Sequence, residues 1–306
     1  GSCEYPDNGD YSLSFDGLGE SVINISDLTI EPTDSITFSI DFKLDNYIHT
    51  SNHNIIFDLE GGNMRYTLLI GTDYMEMRFE GYSISFDFET SSLDNQWHNI
   101  IIQGTSYSMN IILDGNLMVS EIWTEPFVEH GLTPGDYGNF IGANDLQYGY
   151  YVKGQLDDFI ISKNLLSFSN IQNSNFNNSL AAYYKFNAGE GDILYDHSGN
   201  GNHGTINGDA TWQYEIPLNP GANLISFMSL PEDASVGNVL SPLDGIVTGI
   251  IGEGIAASPN PVLGWVGSLT EINPNLGYWL KVNQDVDFNV ISENISDCDT
   301  VYSLNS

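Results

Sequence analysis

In the run Asp196-His-Ser-Gly-Asn-Gly-Asn-His-Gly204, oxygen-bearing side chains recur at alternate positions: Asp196, Ser198, Asn200 and Asn202. Gly199, Gly201 and Gly204 permit turns with positive φ, so these side chains and nearby carbonyls can converge on one point. Oxygen donors on a flexible loop suit a hard cation such as Ca2+ far better than zinc. The same residues equally suit a tight loop whose Asn and Asp side chains bond their own backbone, and the sequence leaves both readings open. In the strand pattern around Asp157 and Asp158 a two-residue period puts Asp157 with Phe159 and Ile161 and Asp158 with Leu156 and Ile160, so each acid has apolar neighbours on its face. An unpaired buried carboxylate is costly, so each needs a partner: a cation shared with the 196–202 loop, or a backbone or hydroxyl donor at the sheet rim. Asp16 is a further acidic candidate. A third group, Asn144, Asp145, Tyr148 and Tyr150, sits in the loop Asn144–Tyr151 and combines phenol faces with amide and carboxylate groups. That combination suits sugar rings, and it also suits simple rim packing.

Catalytic patterns are missing. No E-x-D-x-(x)-E strand supplies the paired carboxylates, ~5 Å apart, of a retaining glycosidase. Asp58-Leu-Glu60 and Asp157-Asp158 both lack the third acid. None of the six histidines falls in an HExxH pattern, and Ser198 has no G-x-S-x-G context. The chain reads as non-enzymatic.

The elements that must position these groups are strands. Tyr11–Asp16 alternates, and Ser35–Asp45 places Ile36, Phe38, Ile40, Phe42 and Leu44 on one face and Thr37, Ser39, Asp41 and Lys43 on the other. Strands follow at Met75–Phe79, Tyr82–Phe88 (apolar face Tyr82, Ile84, Phe86 and Phe88), Trp97–Gln103 and Met109–Leu113. Asp114-Gly115 then turns into Leu117–Val119. Phe140–Ala143 and Gly154–Ser162 come next. No segment up to Ser167 carries a helical stripe, so residues 1–212 are expected to form an all-β jelly-roll sandwich. Within Leu180–Trp212, two apolar runs around the Asp196 loop are read as its last two strands. Residues 213–306 read as a smaller β domain with strands at Asn223–Met228, Val247–Gly252, Gly264–Leu269 and Gly277–Val282. Ser235–Leu240 is the one place that admits a helical turn. Trp97, Trp265 and Trp279 are expected in cores.

Ser14-Phe-Asp-Gly17, Thr37-Phe-Ser-Ile40, Trp97-His98, Ile112-Leu-Asp-Gly115 and Gly154-Gln-Leu-Asp-Asp-Phe-Ile-Ile-Ser162 stand in the order seen in LamG-like domains. The chain thus resembles the concanavalin A-like jelly rolls related to laminin G and pentraxin modules. The Tyr184-Lys-Phe to Gly204 run is similar to a family segment that usually precedes the Phe-Asp-Gly strand. The resemblance implies a calcium site near the strand holding Asp157 and Asp158. The C-terminal domain resembles, more distantly, small β modules appended to bacterial surface proteins.

Composition bounds the function. Seven Lys and Arg against 41 Asp and Glu give a net charge of −34, which disfavours nucleic acid and anionic lipid surfaces as partners. The same charge fits solubility, cation uptake or salty surroundings. No apolar run reaches a membrane span, so no membrane insertion is expected. Gly1-Ser2 reads as a cloning remnant, so upstream segments of a larger multidomain chain are expected. Cys3 and Cys298 near the two ends form no CxxC pair; a disulfide between them and two unrelated thiols are the alternatives. The resulting expectation is a non-catalytic recognition or adhesion module, extracellular or on a cell surface, holding Ca2+ and directed at a glycan or cell-surface polysaccharide. The alternative is a structural or assembly segment of a large surface protein.

Overall fold

The computed structural model describes residues 5–7, 11–17, 21–25, 28–45, 53–61, 64–79, 82–88, 93, 95–124, 130–132, 138–143, 150–176, 178–227, 230–274 and 276–289. Cys3 and Cys298 lie outside them, as do Asn144, Asp145 and Tyr148. The chain divides into two compact units, 1–212 and 213–306.

The first unit opens with β1 (Tyr11–Asp16), β2 (Val22–Asn24), β3 (Ile30–Thr33) and β4 (Ser35–Leu44). There follow β5 (His53–Gly61), β6 (Met64–Gly71), β7 (Tyr74–Phe79), β8 (Tyr82–Asp87), β9 (His98–Thr105), β10 (Ser108–Leu113) and β11 (Asn116–Ile122). It closes with β12 (His130–Leu132), β13 (Asn139–Ile141), β14 (Lys153–Ser162), the short helix α1 (Phe168–Gln172), β15 (Leu180–Tyr184), β16 (Ile193–Leu194) and β17 (Gly204–Asn207). Two antiparallel sheets result. The first runs β11-β10-β9-β4-β14, and β14 shares its far edge between β1 and β15. The second runs β16-β17-β2-β13-β5-β6-β7-β8. The unit is the expected all-β sandwich, and both apolar runs of Leu180–Trp212 join it: β15 in the first sheet, β16 and β17 in the second.

The core lies between the sheets. Phe38 of the first sheet meets Phe57 of the second at 5.2 Å between ring centroids, and Phe57 stacks on Phe159 at 5.1 Å. Phe159 continues to Tyr184 at 6.1 Å, and all four rings are buried. Stacked rings of this kind fill space and fix the spacing of the sheets. The segment after β14 crosses the outer face of the first sheet. There Thr37 Oγ1 donates to the Asn164 carbonyl at 2.8 Å and accepts from the Leu166 amide at 3.0 Å. This explains why Thr37 is buried although it sits on the polar face of β4; Ser39, buried on the same face, accepts from Asn99 Nδ2 at 3.1 Å.

The structure corrects several expectations. Strands β5 and β6 went unrecognised because β5 has a bulge between Ile55 and Phe57, which breaks its alternation. In addition, β6 is buried along most of its length, so no alternation shows. Helix α1 lies outside the single helical turn expected at Ser235–Leu240, where α2 (Val236–Val239) does form. Tyr82 is 52% exposed although its ring stacks on buried Phe79 at 5.9 Å, and Trp97 is half-buried under the Lys43 ammonium, 5.9 Å from its ring centroid.

The second unit contains β18 (Thr211–Leu218, beginning at the boundary), β19 (Gly221–Ser226), β20 (Val247–Ile251), β21 (Ala256–Asn260), β22 (Gly264–Gly267), β23 (Gly277–Val282) and β24 (Val286–Asn289). Its five-stranded sheet runs β19-β23-β20-β21-β22, and β18 pairs with β24. Tyr278, Leu280 and Val282 face a core that includes Phe227, Leu243 and Phe288, with Trp265 packed against it.

Candidate functional site

Asp196 is fully buried, and its carboxylate is ringed by donors. Oδ1 accepts from the Tyr183 and Ser198 amides, both at 2.9 Å. Oδ2 accepts from Ser198 Oγ at 2.9 Å and from the Asn202 amide at 3.0 Å. The glycine turns point backbone N–H groups at this carboxylate, and four bonds use its usual acceptor capacity. Asn200 and Asn202 turn their amide nitrogens, not their oxygens, toward the β15 edge: each donates to the Ala181 carbonyl at 3.0 Å. Tyr184 Oη donates to the Asn202 carbonyl at 2.6 Å. The loop therefore closes on its own chain. Its rings hold the N-terminal lead-in, with Tyr5 stacked on Tyr195 at 5.4 Å and edge-on to His203 at 4.7 Å.

Asp157 and Asp158 sit at a bulge where β14 pairs with β4. The extra residue re-phases the strand: Leu156 and Phe159 face the core, while Asp157 pairs opposite Asp41 on the outer face. A strict two-residue period would put Asp157 with Phe159, so that expectation is corrected. Asp158 adopts φ 44° and is held by Tyr183 Oη, which donates to Oδ1 at 3.0 Å, while its own amide donates to Asp157 Oδ1 at 2.8 Å. Asp196 engages the backbone of Tyr183 and Asp158 its phenol, so the two carboxylates reach opposite ends of one residue. Among the described residues, no group of three or more His, Cys, Asp or Glu could hold a metal ion. With Asp196 taken up by four donors and the amide nitrogens of Asn200 and Asn202 turned to the Ala181 carbonyl, the set Asp157, Asp158, Asp196, Ser198, Asn200 and Asn202 does not fit a Ca2+ cage in this arrangement. Asp16 accepts from Ser21 Oγ at 3.3 Å.

This arrangement carries a pH signature. Burial, and then the charge of Asp158, push the Tyr183 phenol above its ordinary value; burial and then Asp196 do the same for Tyr184. Above pH ~10 the unfolded chain loses phenolic protons that the folded chain keeps, so the unfolded state binds fewer protons and stability falls as pH rises. Denaturant titrations between about pH 8 and pH 11 are expected to show this fall, flattened in Tyr183→Phe.

A different constellation emerges on the outer face of the second sheet. Tyr74, Glu76 and Arg78 alternate with the core residues Met75, Met77 and Phe79 along β7, so the three polar side chains share the outward face. Arg65 and Thr67 of β6 and Asp58 and Glu60 of β5 lie beside them in register. Arg65 grips Asp58 through two bonds, Nε to Oδ1 at 3.0 Å and Nη2 to Oδ2 at 2.6 Å, and Thr67 Oγ1 adds a third at 2.6 Å. Arg78 places Nε and Nη2 on a single oxygen of Glu76, at 3.0 and 2.8 Å, and its side chain remains 54% exposed. These are the only two arginines in a chain of net charge −34, and they occupy adjacent strands of one face.

At one end of this face His53 Nε2 lies 2.7 Å from Tyr74 Oη, and Tyr150 stands edge-on to His53 at 5.3 Å. The Tyr74 ring lies over Gly71, where a Cβ would come within 2.5 Å of it, so only glycine admits this pose. Burial, and then Glu76, raise the Tyr74 phenol's pKa. Tyr150 belongs to the sugar-suited loop of the sequence; Glu76 and Arg78 lie on a strand the sequence shows, whose outward face was given no role, while His53, Arg65 and Thr67 lie on β5 and β6. The usable signal was the isolation of Arg65 and Arg78. The face offers guanidinium donors, carboxylate acceptors and aromatic edges on paired strands, with Asp58, Thr67 and Leu69 buried and Arg78 exposed.

Among solved structures, the chain is similar to a candidate carbohydrate-binding protein from Bacteroides ovatus, at 19% identity over 66% of this chain and 59% of that one, with a TM-score of 0.50. This chain thus spans under two thirds of that protein. It is also similar to domains LG4-5 of the mouse laminin α1 chain (8% identity, 94% of this chain, 85% of that one, TM-score 0.43). A third likeness is the CBM40 of the Ruminococcus gnavus IT-sialidase bound to α2,3-sialyllactose (13% identity, 53% and 95%, TM-score 0.40). No curated protein sequence matches. The family model that does match covers residues 17–172, just over half the chain, and the chain belongs to the concanavalin A-like lectin/glucanases superfamily, laminin G type.

Proposed function

We propose that the chain is a non-catalytic carbohydrate-recognition module whose glycan lies on the outer face of the second sheet. Tyr74, Glu76 and Arg78 form its centre, Tyr150 and His53 its edge, and the loop residues Asn144, Asp145 and Tyr148 lie next to Tyr150 in sequence. The observation that carries this reading is the placement of a tyrosine, a half-buried carboxylate and the exposed guanidinium paired with it on alternate residues of one strand face. Sugar hydroxyls bond well to such pairs, whose geometry is already fixed and whose ordering cost is therefore low. The similarity to a candidate carbohydrate-binding protein supports the class of ligand, and an extracellular or cell-surface setting is part of the same proposal.

Asp58 is engaged by Arg65 and Thr67, and Glu76 by Arg78, and on this reading both carboxylates hold the face together rather than act on substrate. Glu60 sits 3.7 Å from the Arg65 guanidinium. Pure protein incubated with polysaccharides that it binds on a glycan array is therefore expected to release no reducing ends. Measurable release would overturn the non-catalytic assignment. Among the described residues no helix is long and apolar enough to cross a membrane.

A further inference from the structure

Trp279, expected in the core of the second unit, lies on the opposite face of its sheet. Strand β23 alternates strictly: Tyr278, Leu280 and Val282 are buried, while Gly277, Trp279 and Lys281 are exposed. In register, Trp279 is flanked by Leu224 of β19 and Ile251 of β20, so three apolar side chains stand abreast on the outer face. They are 65% (Leu224), 48% (Trp279) and 40% (Ile251) exposed. Among the described residues of β19, β23 and β20 the same face otherwise carries Ala222 and Ser226, Gly277 and Lys281, and Gly249, with Val266 two strands beyond Ile251 on β22 and exposed Leu276 just before β23. Lys281 is the only cation of residues 213–306.

The dimensions select the ligand. Three residues abreast span two strand spacings, about 10 Å, roughly the length of a disaccharide. A protein interface needs about 800 Å² per partner and 20–30 residues, far more than a ridge one residue wide. An indole raised above glycine and alanine neighbours on a flat sheet suits the C–H face of a pyranose ring, with a neighbouring ammonium available to its hydroxyls. We propose that Trp279, Leu224 and Ile251 form a second glycan-binding platform, independent of the first unit, for an extended chain of equatorially linked pyranoses.

The test uses the full chain titrated with cellohexaose, chitohexaose and mannohexaose, with binding read as the heat released on titration, a signal that does not depend on Trp279 as reporter. A saturable heat is expected with at least one of these in the wild type. It should be retained in Arg78→Ala, which disables the proposed face of the first unit, and weakened about tenfold or more in Trp279→Ala. An unchanged melting curve would confirm that Trp279→Ala still folds. Three results overturn the platform: no saturable heat in the wild type, equal binding in Trp279→Ala, or loss of the heat in Arg78→Ala. Concentration-dependent self-association of the wild type that Trp279→Ala abolishes would also overturn it, by making this ridge a contact between copies.

Discussion

Replacing Asp196 by alanine is expected to destabilise the first unit by about 3–5 kcal/mol, with or without calcium. The substitution strips the partner from three backbone amides and from Ser198 Oγ at a fully buried position. Each buried donor left unsatisfied costs about 1–3 kcal/mol. Ser198 Oγ can turn fully to the Ala181 carbonyl, already 3.4 Å away, which reduces the sum. The consequences reach further than one loop, because the same segment anchors the Tyr184 phenol and carries the rings that hold Tyr5. At about 2–4 °C per kcal/mol for a unit of this size, the melting temperature should fall by roughly 10 °C. Melting curves in chelator and in excess Ca2+ are expected to coincide for the wild type. A calcium-dependent rise that vanishes in Asp196→Ala would mean that the carboxylate exchanges its amides for a cation.

A loss of comparable size is expected from Phe57→Ala. Phe57 comes from the second sheet and touches Phe38 and Phe159 of the first, so it joins the two layers at the centre of the core. Removing a buried phenyl ring costs about 3–5 kcal/mol through lost transfer free energy and the cavity left behind. Phe57→Leu keeps most of the volume and should cost less than about 1.5 kcal/mol. Urea midpoints for the two variants decide the matter. If both were equally mild, the aromatic stack would not be what fixes the spacing of the sheets.

How much of this was legible in the sequence follows from how locally each feature is encoded. Strand β4 alternates without interruption and was readable residue by residue. At β5 and β14 a single extra residue shifts the phase, and sequence periodicity cannot show on which strand a bulge falls. This hid β5 altogether and put Asp157 on the wrong face. The Asp196 loop reads as bringing side-chain oxygens and carbonyls to one point, whereas Asn200 and Asn202 turn amide nitrogens to the Ala181 carbonyl and the Asp196 carboxylate is the point the other groups reach. What converges there is largely backbone N–H, because glycine turns aim amides as readily as they aim side chains. Trp279 was misread because an apolar residue in a strand of a small sheet looks like core, although its neighbour Lys281 shares its face and marks that face as the wet one. The face bearing Arg65 and Arg78 depends on pairing between strands, which no single stretch of sequence contains.

The most direct measurement is a titration of the wild type, Arg78→Ala and Tyr74→Ala with the glycan that gives the strongest array signal, each with its melting temperature recorded. A shallow, exposed site should bind with a dissociation constant of roughly 0.1–1 mM. Arg78→Ala lies on the surface and should leave folding intact to within about 1 kcal/mol; Tyr74→Ala also removes a ring packed over Gly71 and the bond to His53 and should cost more, about 1–3 kcal/mol; both should weaken binding tenfold or more. Chelator should change nothing. Binding of undiminished strength in both variants would contradict the assignment of the glycan to this face.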